Sequence, residues 1–222
     1  MQRLVRGLSH FQNHVFSEQR EFFQKLATGQ APETLFITCS DSRINPNLIT
    51  NTEPGELFII RNAGNIIPPH SSAPGGEAAT IEYAVDALKV SDIVVCGHSQ
   101  CGAMKAVVDP SAVDSMPLVK AWLDNAEATK RIARTRYGHL SGQELLEVVV
   151  AENVLVQIEH LQTQPAVAAA LARGAVRLHA WVYQIESGLV FAFDPSTGSF
   201  SPIEGKMVPV VEGRAKKDSP WS

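Results

Sequence analysis

Apolar residues follow two kinds of pattern along this chain. Short, nearly continuous apolar runs that are rich in β-branched and aromatic residues predict buried strands. These runs cover residues 34–39, 55–62 and 92–98. Elsewhere apolar residues recur every three or four positions, a spacing that is typical of amphipathic helices. Helices are therefore predicted over residues 1–27, 75–90, 117–137, 142–163 and 165–174.

Residues 176–194 contain two further apolar runs separated by a polar stretch around Glu186 and Gly188. Two strands joined by such a turn predict a hairpin. Because strands alternate with helices in the rest of the chain, we expect an α/β fold with a mainly parallel central sheet. The predicted sheet has about four parallel strands plus an antiparallel edge strand, is flanked by helices and carries an N-terminal helical arm.

The domain organisation follows from composition. Residues 1–195 are assigned to one domain that includes the helical arm, residues 1–27, in which Ser17 is a candidate N-cap at a break between two helices. Pro, Gly, Ser and charged residues dominate the C-terminal tail, residues 196–222, and we expect disorder near "GRAKKDSPWS" at its end. The arm packs either on its own domain or on another subunit, and its pattern leaves both open.

Composition narrows the class of protein. The 222 residues include 19 Lys and Arg against 23 Asp and Glu, for a formal net charge of −4. This balance argues against nucleic acid or an anionic membrane as the main partner. The first residues lack a continuous apolar signal segment, and no apolar run is long enough to span a bilayer. The chain has 3 cysteines, an odd number that suits a reducing compartment, so we expect a cytoplasmic protein.

Three side chains that commonly bind metals follow two of the predicted strands. Cys39 ends the first strand, and His98 and Cys101 come at and after the end of the third. Because the carboxyl ends of parallel strands face one crevice, we expect these side chains to converge. Two thiolates and one imidazole suit zinc, and three protein ligands leave the fourth position open, as in catalytic zinc sites. Cys96 lies inside the strand, and we interpret it as a packed thiol.

Asp41 and Arg43 come directly after Cys39 in the stretch "CSDSR". Asp41 is close enough in sequence to bind the metal or a water on it. A forked ion pair with Arg43 would instead hold the carboxylate off the metal. Either role would place Asp41 beside the reacting atoms, whereas an Asp–Arg pair near a turn is otherwise a loop brace.

These motifs resemble the β-class carbonic anhydrases. The resemblance rests on "CSDSR" at 39–43, "RNAGN" at 61–65, "EYAV" at 82–85 and "GHSQCG" at 97–102. It implies reversible hydration of carbon dioxide to bicarbonate and a proton by zinc-activated water. One Zn²⁺ per subunit would be bound by Cys39, His98 and Cys101. The catalytic pair would be Asp41 and Arg43.

The resemblance also implies a substrate pocket and an assembly. Gln30, Phe58, Tyr83 and the N–H of Gly102 match its substrate-binding positions, and part of the pocket comes from a partner subunit. The family forms homodimers or higher homo-oligomers built from dimers, with the N-terminal helices exchanged. His70 is a candidate proton carrier. Some members also bind inhibitory bicarbonate through a Trp, an Arg and a Tyr, and this chain has Phe36, Arg61 and Tyr183 at those positions.

Three longer segments resemble the cyanobacterial carboxysomal members in particular: "RNAGNIIPP", "VVAENVL" and "LHAWVYQIESG". This similarity implies a place inside the carboxysome, a shell scaffold protein as partner, and supply of carbon dioxide for carbon fixation. Two alternatives stay open. One is hydrolysis of CS2 or COS on the same fold, and the other is a zinc-stabilised scaffold or adaptor with vestigial catalysis.

Overall fold

The computed structural model describes residues 1–71, 75–205 and 208–213. The chain forms two compact units, Met1–Ala31 and Pro32–Ser222. None of the helices in the described ranges is both long enough and apolar enough to cross a membrane.

The first unit is the predicted helical arm. It contains α1 (Gln2–His10), a π-helical turn, α2 (Phe16–Glu18) and α3 (Arg20–Leu26). The helix breaks at Gln19, whose φ and ψ are −113° and 28°. The prediction that Ser17 caps the second helix is wrong, because its hydroxyl donates to the Asn13 and His14 carbonyls of the preceding turn.

Within its described residues, the second unit is built on a seven-stranded sheet. Its strands are β1 (Thr34–Cys39), β2 (Leu57–Asn62), β3 (Asp92–His98), β4 (Arg177–Tyr183), β5 (Val190–Asp194), β6 (Ser199–Pro202) and β7 (Val211–Glu212). The order is β2-β1-β3-β4-β5-β6, and β7 pairs with β4. The first four strands in this order are parallel, which confirms the predicted mainly parallel sheet.

The antiparallel part of the sheet is larger than predicted. Strands β5, β6 and β7 all pair antiparallel, and β6 and β7 lie in the segment that was assigned to a tail. Strand β6 can pair with β5 because a turn reverses the chain between them. In this turn Asp194 accepts a hydrogen bond from the Ser196 N–H, and Gly198 has a φ of 67°. Of the end predicted to be disordered, residues 214–222 lie outside the described residues.

Helices surround the sheet. They are α4 (Pro46–Thr50), α5 (Gly76–Glu82), α6 (Gly102–Val108), α7 (Pro117–Leu123), α8 (Glu127–Tyr137), α9 (Gly142–Thr163) and α10 (Pro165–Ala172). A 3₁₀ turn at Asp124–Ala126 divides the helix predicted over 117–137 into α7 and α8. Helix α9 has the predicted bounds, and many of its side chains are buried.

Alternating residues of β1 face different parts of the core. Leu35 and Ile37 pack in the main cluster with Val154 and Ile158 of α9. Phe36 faces a smaller cluster with Val94, Cys96 and Trp181. Cys39, at the end of the strand, lies in a third cluster that also contains Cys101, Ile66 and Met104. The end of β1 therefore delivers its thiol into a buried position beside a second thiol.

Candidate metal centre

The three predicted ligands lie together at one edge of the sheet. Their ligand atoms, the sulfurs of Cys39 and Cys101 and a ring nitrogen of His98, all lie within 4.8 Å of one another. Strands β1 and β3 are adjacent and parallel, so both carboxyl ends reach this edge. Exposure of the three residues is 6% for Cys39, 0% for His98 and 1% for Cys101. Topology alone thus joins residues 59 positions apart in the sequence.

The two ring nitrogens of His98 have different surroundings. Its Nδ1 lies 2.8 Å from the carbonyl oxygen of Ser99, which fixes Nδ1–H as the donor. Its Nε2 is buried and has no hydrogen-bond partner within the described parts of the chain. Buried polar atoms are rarely left unpaired in proteins. A metal ion between Nε2 and the two sulfurs would satisfy this atom, and metal-bound histidines typically donate their other N–H in this way.

The two thiols contact each other directly. A hydrogen bond from Cys101 outweighs burial and lowers the pKa of the Cys39 thiol. The same contact and burial raise the pKa of Cys101. The Gly64 N–H also points at the Cys39 sulfur, at 3.4 Å. Two sulfurs and one imidazole form a donor set that suits zinc, and the residues present therefore fit this ion.

Asp41 and Arg43 form a forked pair beside the ligands. The Nε of Arg43 donates to Oδ1 of Asp41 at 2.9 Å, and its Nη2 donates to Oδ2 at 2.7 Å. These bonds hold the pKa of the Asp41 carboxyl well below its usual range, so it is an anion at neutral pH. Arg43 also donates to the Gln100 carbonyl at 3.2 Å, which ties the pair to the loop that carries Cys101.

Arg61 has a position that the sequence did not predict. Its Nε donates to the Cys39 carbonyl at 3.0 Å and its Nη2 donates to the Asp41 carbonyl at 2.7 Å. The guanidinium thus braces the backbone between a candidate ligand and the forked pair. The register of the two strands explains this position. Arg61 lies opposite Thr38 on the adjacent strand, one residue before Cys39. The resemblance assigns Arg61 only to a bicarbonate pocket.

Phe58 and Tyr83 lie together, but not beside the ligands of their own chain. Their ring centroids are 6.0 Å apart. Phe58 is opposite Leu35, four residues before Asn62, which is opposite Cys39. At about 3.3 Å per residue this separates Phe58 from the metal edge by about 13 Å along the strand. Gln30 belongs to the first unit, Met1–Ala31.

Gly102 begins α6 directly after Cys101. A Cβ atom placed on Gly102 would meet no atom of the described residues within 4 Å, so among them open space adjoins its backbone. Phe36 is buried and packs edge-on against Trp181 with ring centroids 6.0 Å apart. The backbone N–H of His70 donates to the Thr163 hydroxyl at 2.8 Å. The last two contacts show packing and loop anchoring, and neither assigns a role in bicarbonate binding or proton transfer.

Comparisons with known proteins agree with this geometry. A family model described as carbonic anhydrase matches residues 34–190. A carbonic anhydrase from Synechocystis is 53% identical over 195 residues, covering 87% of this chain and 71% of the relative. The solved structure of the β-carbonic anhydrase CcaA is 51% identical with a TM-score of 0.89, covering 91% of this chain and 99% of that one. A tetrameric β-carbonic anhydrase from Sordaria macrospora is 28% identical with a TM-score of 0.79, covering 90% and 98%.

Proposed function

The chain belongs to the β-class carbonic anhydrases, which hydrate carbon dioxide with zinc, and we propose that Cys39, His98 and Cys101 are its zinc ligands. The observation that carries this assignment is the buried Nε2 of His98, which lies near two thiols and has no partner in residues 1–71, 75–205 and 208–213. X-ray absorption at the zinc edge tests it. Two sulfurs at about 2.3 Å and one imidazole nitrogen at about 2.0 Å are expected. A spectrum without sulfur neighbours would contradict the assignment.

Bound zinc supplies a Lewis acid that lowers the pKa of a water molecule enough to make it a nucleophile near neutral pH. The role of Asp41 follows from its position and charge. Its Oδ2 lies 3.9 Å from Nε2 of His98, beside the ligand atoms without belonging to their cluster. As a carboxylate it can only accept a hydrogen bond, so it can orient a water molecule toward carbon dioxide. Arg43 keeps the carboxylate ionised and fixes its direction.

The substrate pocket is completed across a subunit boundary in this proposal. Phe58 and Tyr83 contact each other, and Phe58 is remote from the metal edge of its own chain. We assign them to the apolar wall of a partner's pocket within a homodimer or a larger oligomer. Gln30 would donate to a bicarbonate oxygen, and the Gly102 N–H would face the same anion. An apolar slot suits carbon dioxide because the molecule is small and uncharged.

The cellular role is a separate proposal. The segments "RNAGNIIPP", "VVAENVL" and "LHAWVYQIESG", together with the Synechocystis relative, support carbon dioxide supply for carbon fixation inside a carboxysome in the cytoplasm. The match covers 71% of that relative. We place the scaffold-binding region within residues 196–222, which lie beyond the segment 34–190 that the family model matches. Pull-down with carboxysome shell scaffold protein, with and without this segment, tests the proposal. Equal capture of both forms, or of neither, would contradict recruitment by these residues.

A further inference from the structure

Asn153 lies in the middle of α9, within "VVAENVL", and is 1% exposed. Both ends of its side-chain amide are engaged. The Nδ2 donates to the Gly64 carbonyl at 3.0 Å. The Oδ1 accepts from Nε2 of Gln157 at 3.0 Å and from the Thr129 hydroxyl at 3.3 Å. A buried amide with partners at both ends is fixed in one orientation, so the Gly64 carbonyl has a rigid anchor.

Gly64 is bonded on its other side to a candidate zinc ligand. Its N–H donates to the Cys39 sulfur at 3.4 Å. Its φ is 81°, and a Cβ there would lie 2.9 Å from the Cβ of Ala103. Any other residue would therefore be strained and would clash. The next residue, Asn65, also has a positive φ, of 48°. A loop with two such residues in succession needs external bonds to keep its shape.

Side chains from two helices supply those bonds on either side of Gly64. The Trp122 indole donates to the Ala63 carbonyl at 2.8 Å. The Gln157 side chain accepts from the Ile67 N–H at 2.8 Å. Asn153 donates to the carbonyl of Gly64, which lies between Ala63 and Ile67 and whose own N–H donates to the Cys39 sulfur. Of these three anchors, only Asn153 holds Gly64 itself.

We propose that Asn153 is a positioning residue for the zinc centre, because it holds Gly64 with its N–H aimed at the Cys39 sulfur. An N–H bond to a thiolate stabilises its charge and restricts the direction in which its remaining lone pairs meet the metal. The proposal rests on the proposed function in one respect, namely that Cys39 is a zinc ligand. The segment "VVAENVL", which is far from Cys39 in the sequence, thereby takes part in positioning a metal ligand.

Two substitutions and a matched control test the role. Asn153→Leu removes the donor without adding a charge, and Asn153→Asp keeps the shape and the acceptor oxygen. Thr129→Val is the control, because it removes a buried hydrogen bond to the same Oδ1 and leaves the contact with Gly64. The readouts are zinc affinity by chelator competition and the thiolate-to-metal charge-transfer band of the cobalt-substituted protein. Thermal unfolding is measured on the same samples.

We expect zinc affinity to fall about tenfold or more in the Asn153 variants, with a shifted charge-transfer band, while Thr129→Val stays near wild type. Unchanged affinity and band in the Asn153 variants would overturn the proposal. So would equal losses in Thr129→Val that follow thermal stability alone. Failure of the wild-type protein to bind zinc would instead overturn the ligand assignment. If neither Asn153 variant folds, wild-type protein loaded with ¹¹³Cd decides: coupling from the Gly64 N–H to cadmium is expected, and its absence overturns the proposal.

Discussion

The Oδ2 atom of Asp41 lies 3.9 Å from Nε2 of His98, while Arg43 binds both carboxylate oxygens. This separation is too long for a hydrogen bond, and the Asp41 carboxylate lies outside the group of ligand atoms formed by Cys39, His98 and Cys101. The forked pair therefore favours the interpretation in which Asp41 stays beside the metal position and orients a water molecule.

Replacing Asp41 with alanine separates the two roles that its sequence position allows. We expect Asp41→Ala to lower the rate of carbon dioxide hydration by about 100-fold or more while the zinc content stays near one per chain, since a water-orienting group is lost and no ligand is removed. Stopped-flow assays and metal analysis on one preparation measure both quantities. Loss of the metal in this variant would show that Asp41 acts mainly as a ligand.

Phe58 provides a test of the shared pocket. We expect Phe58→Ala to be impaired, and Asp41→Ala to be inactive. The two variant chains are then mixed and allowed to exchange, so that half of the dimers contain one chain of each variant. In such a dimer, one of the two sites combines the intact Asp41 of one chain with the intact Phe58 of the other. About a quarter of wild-type activity should therefore appear. The measurement is activity before and after exchange. No recovery would mean that Phe58 serves the site of its own chain.

Cys96 tests the division between ligating and packed thiols. Burial raises its pKa to about 12, and its side chain lies in the cluster with Phe36 and Val94. We expect Cys96→Ala to keep zinc content and turnover and to lose about 1 kcal/mol of stability, because a small buried group is removed. Urea unfolding gives the stability, and a marked fall in zinc content would contradict this assignment.

Asp92 links stability to pH at the opposite edge of the sheet. Burial disfavours its charge, but hydrogen bonds from Arg177, His179 and Ser91 outweigh burial and hold its pKa at about 2. A lowered folded-state pKa contributes stability above the ordinary pKa of a carboxyl, and this contribution is lost as pH falls from about 4 to 2. Solvent screening limits it to about 1 kcal/mol.

We therefore expect Asp92→Asn to be less stable than wild type at pH 7 and to lose less stability between pH 5 and pH 2.5. Urea unfolding at these pH values measures the difference. Asp114→Asn is the control, since Asp114 pairs with Lys120 at an exposed site where ion pairs contribute little. An identical pH dependence of wild type and Asp92→Asn would contradict the linkage.

Local patterns predicted the parallel strands and the convergence of Cys39 with Cys101, because strand ends and chain topology place them. Features set by long-range contacts were not predictable in this way. The bond from Asn153 to Gly64 joins residues 89 positions apart, and Arg61 reaches its carbonyls only once β1 and β2 pair. Strand β6 was missed because its pairing with β5 depends on the turn at Asp194, within a composition typical of loops.

Carbon dioxide hydration and zinc content measured on the same sample decide whether this chain is a zinc-dependent carbonic anhydrase. We expect one zinc per chain and turnover far above the uncatalysed rate, with both lost together when His98 is replaced by alanine. Zinc-loaded protein without turnover at any pH or redox state would contradict it.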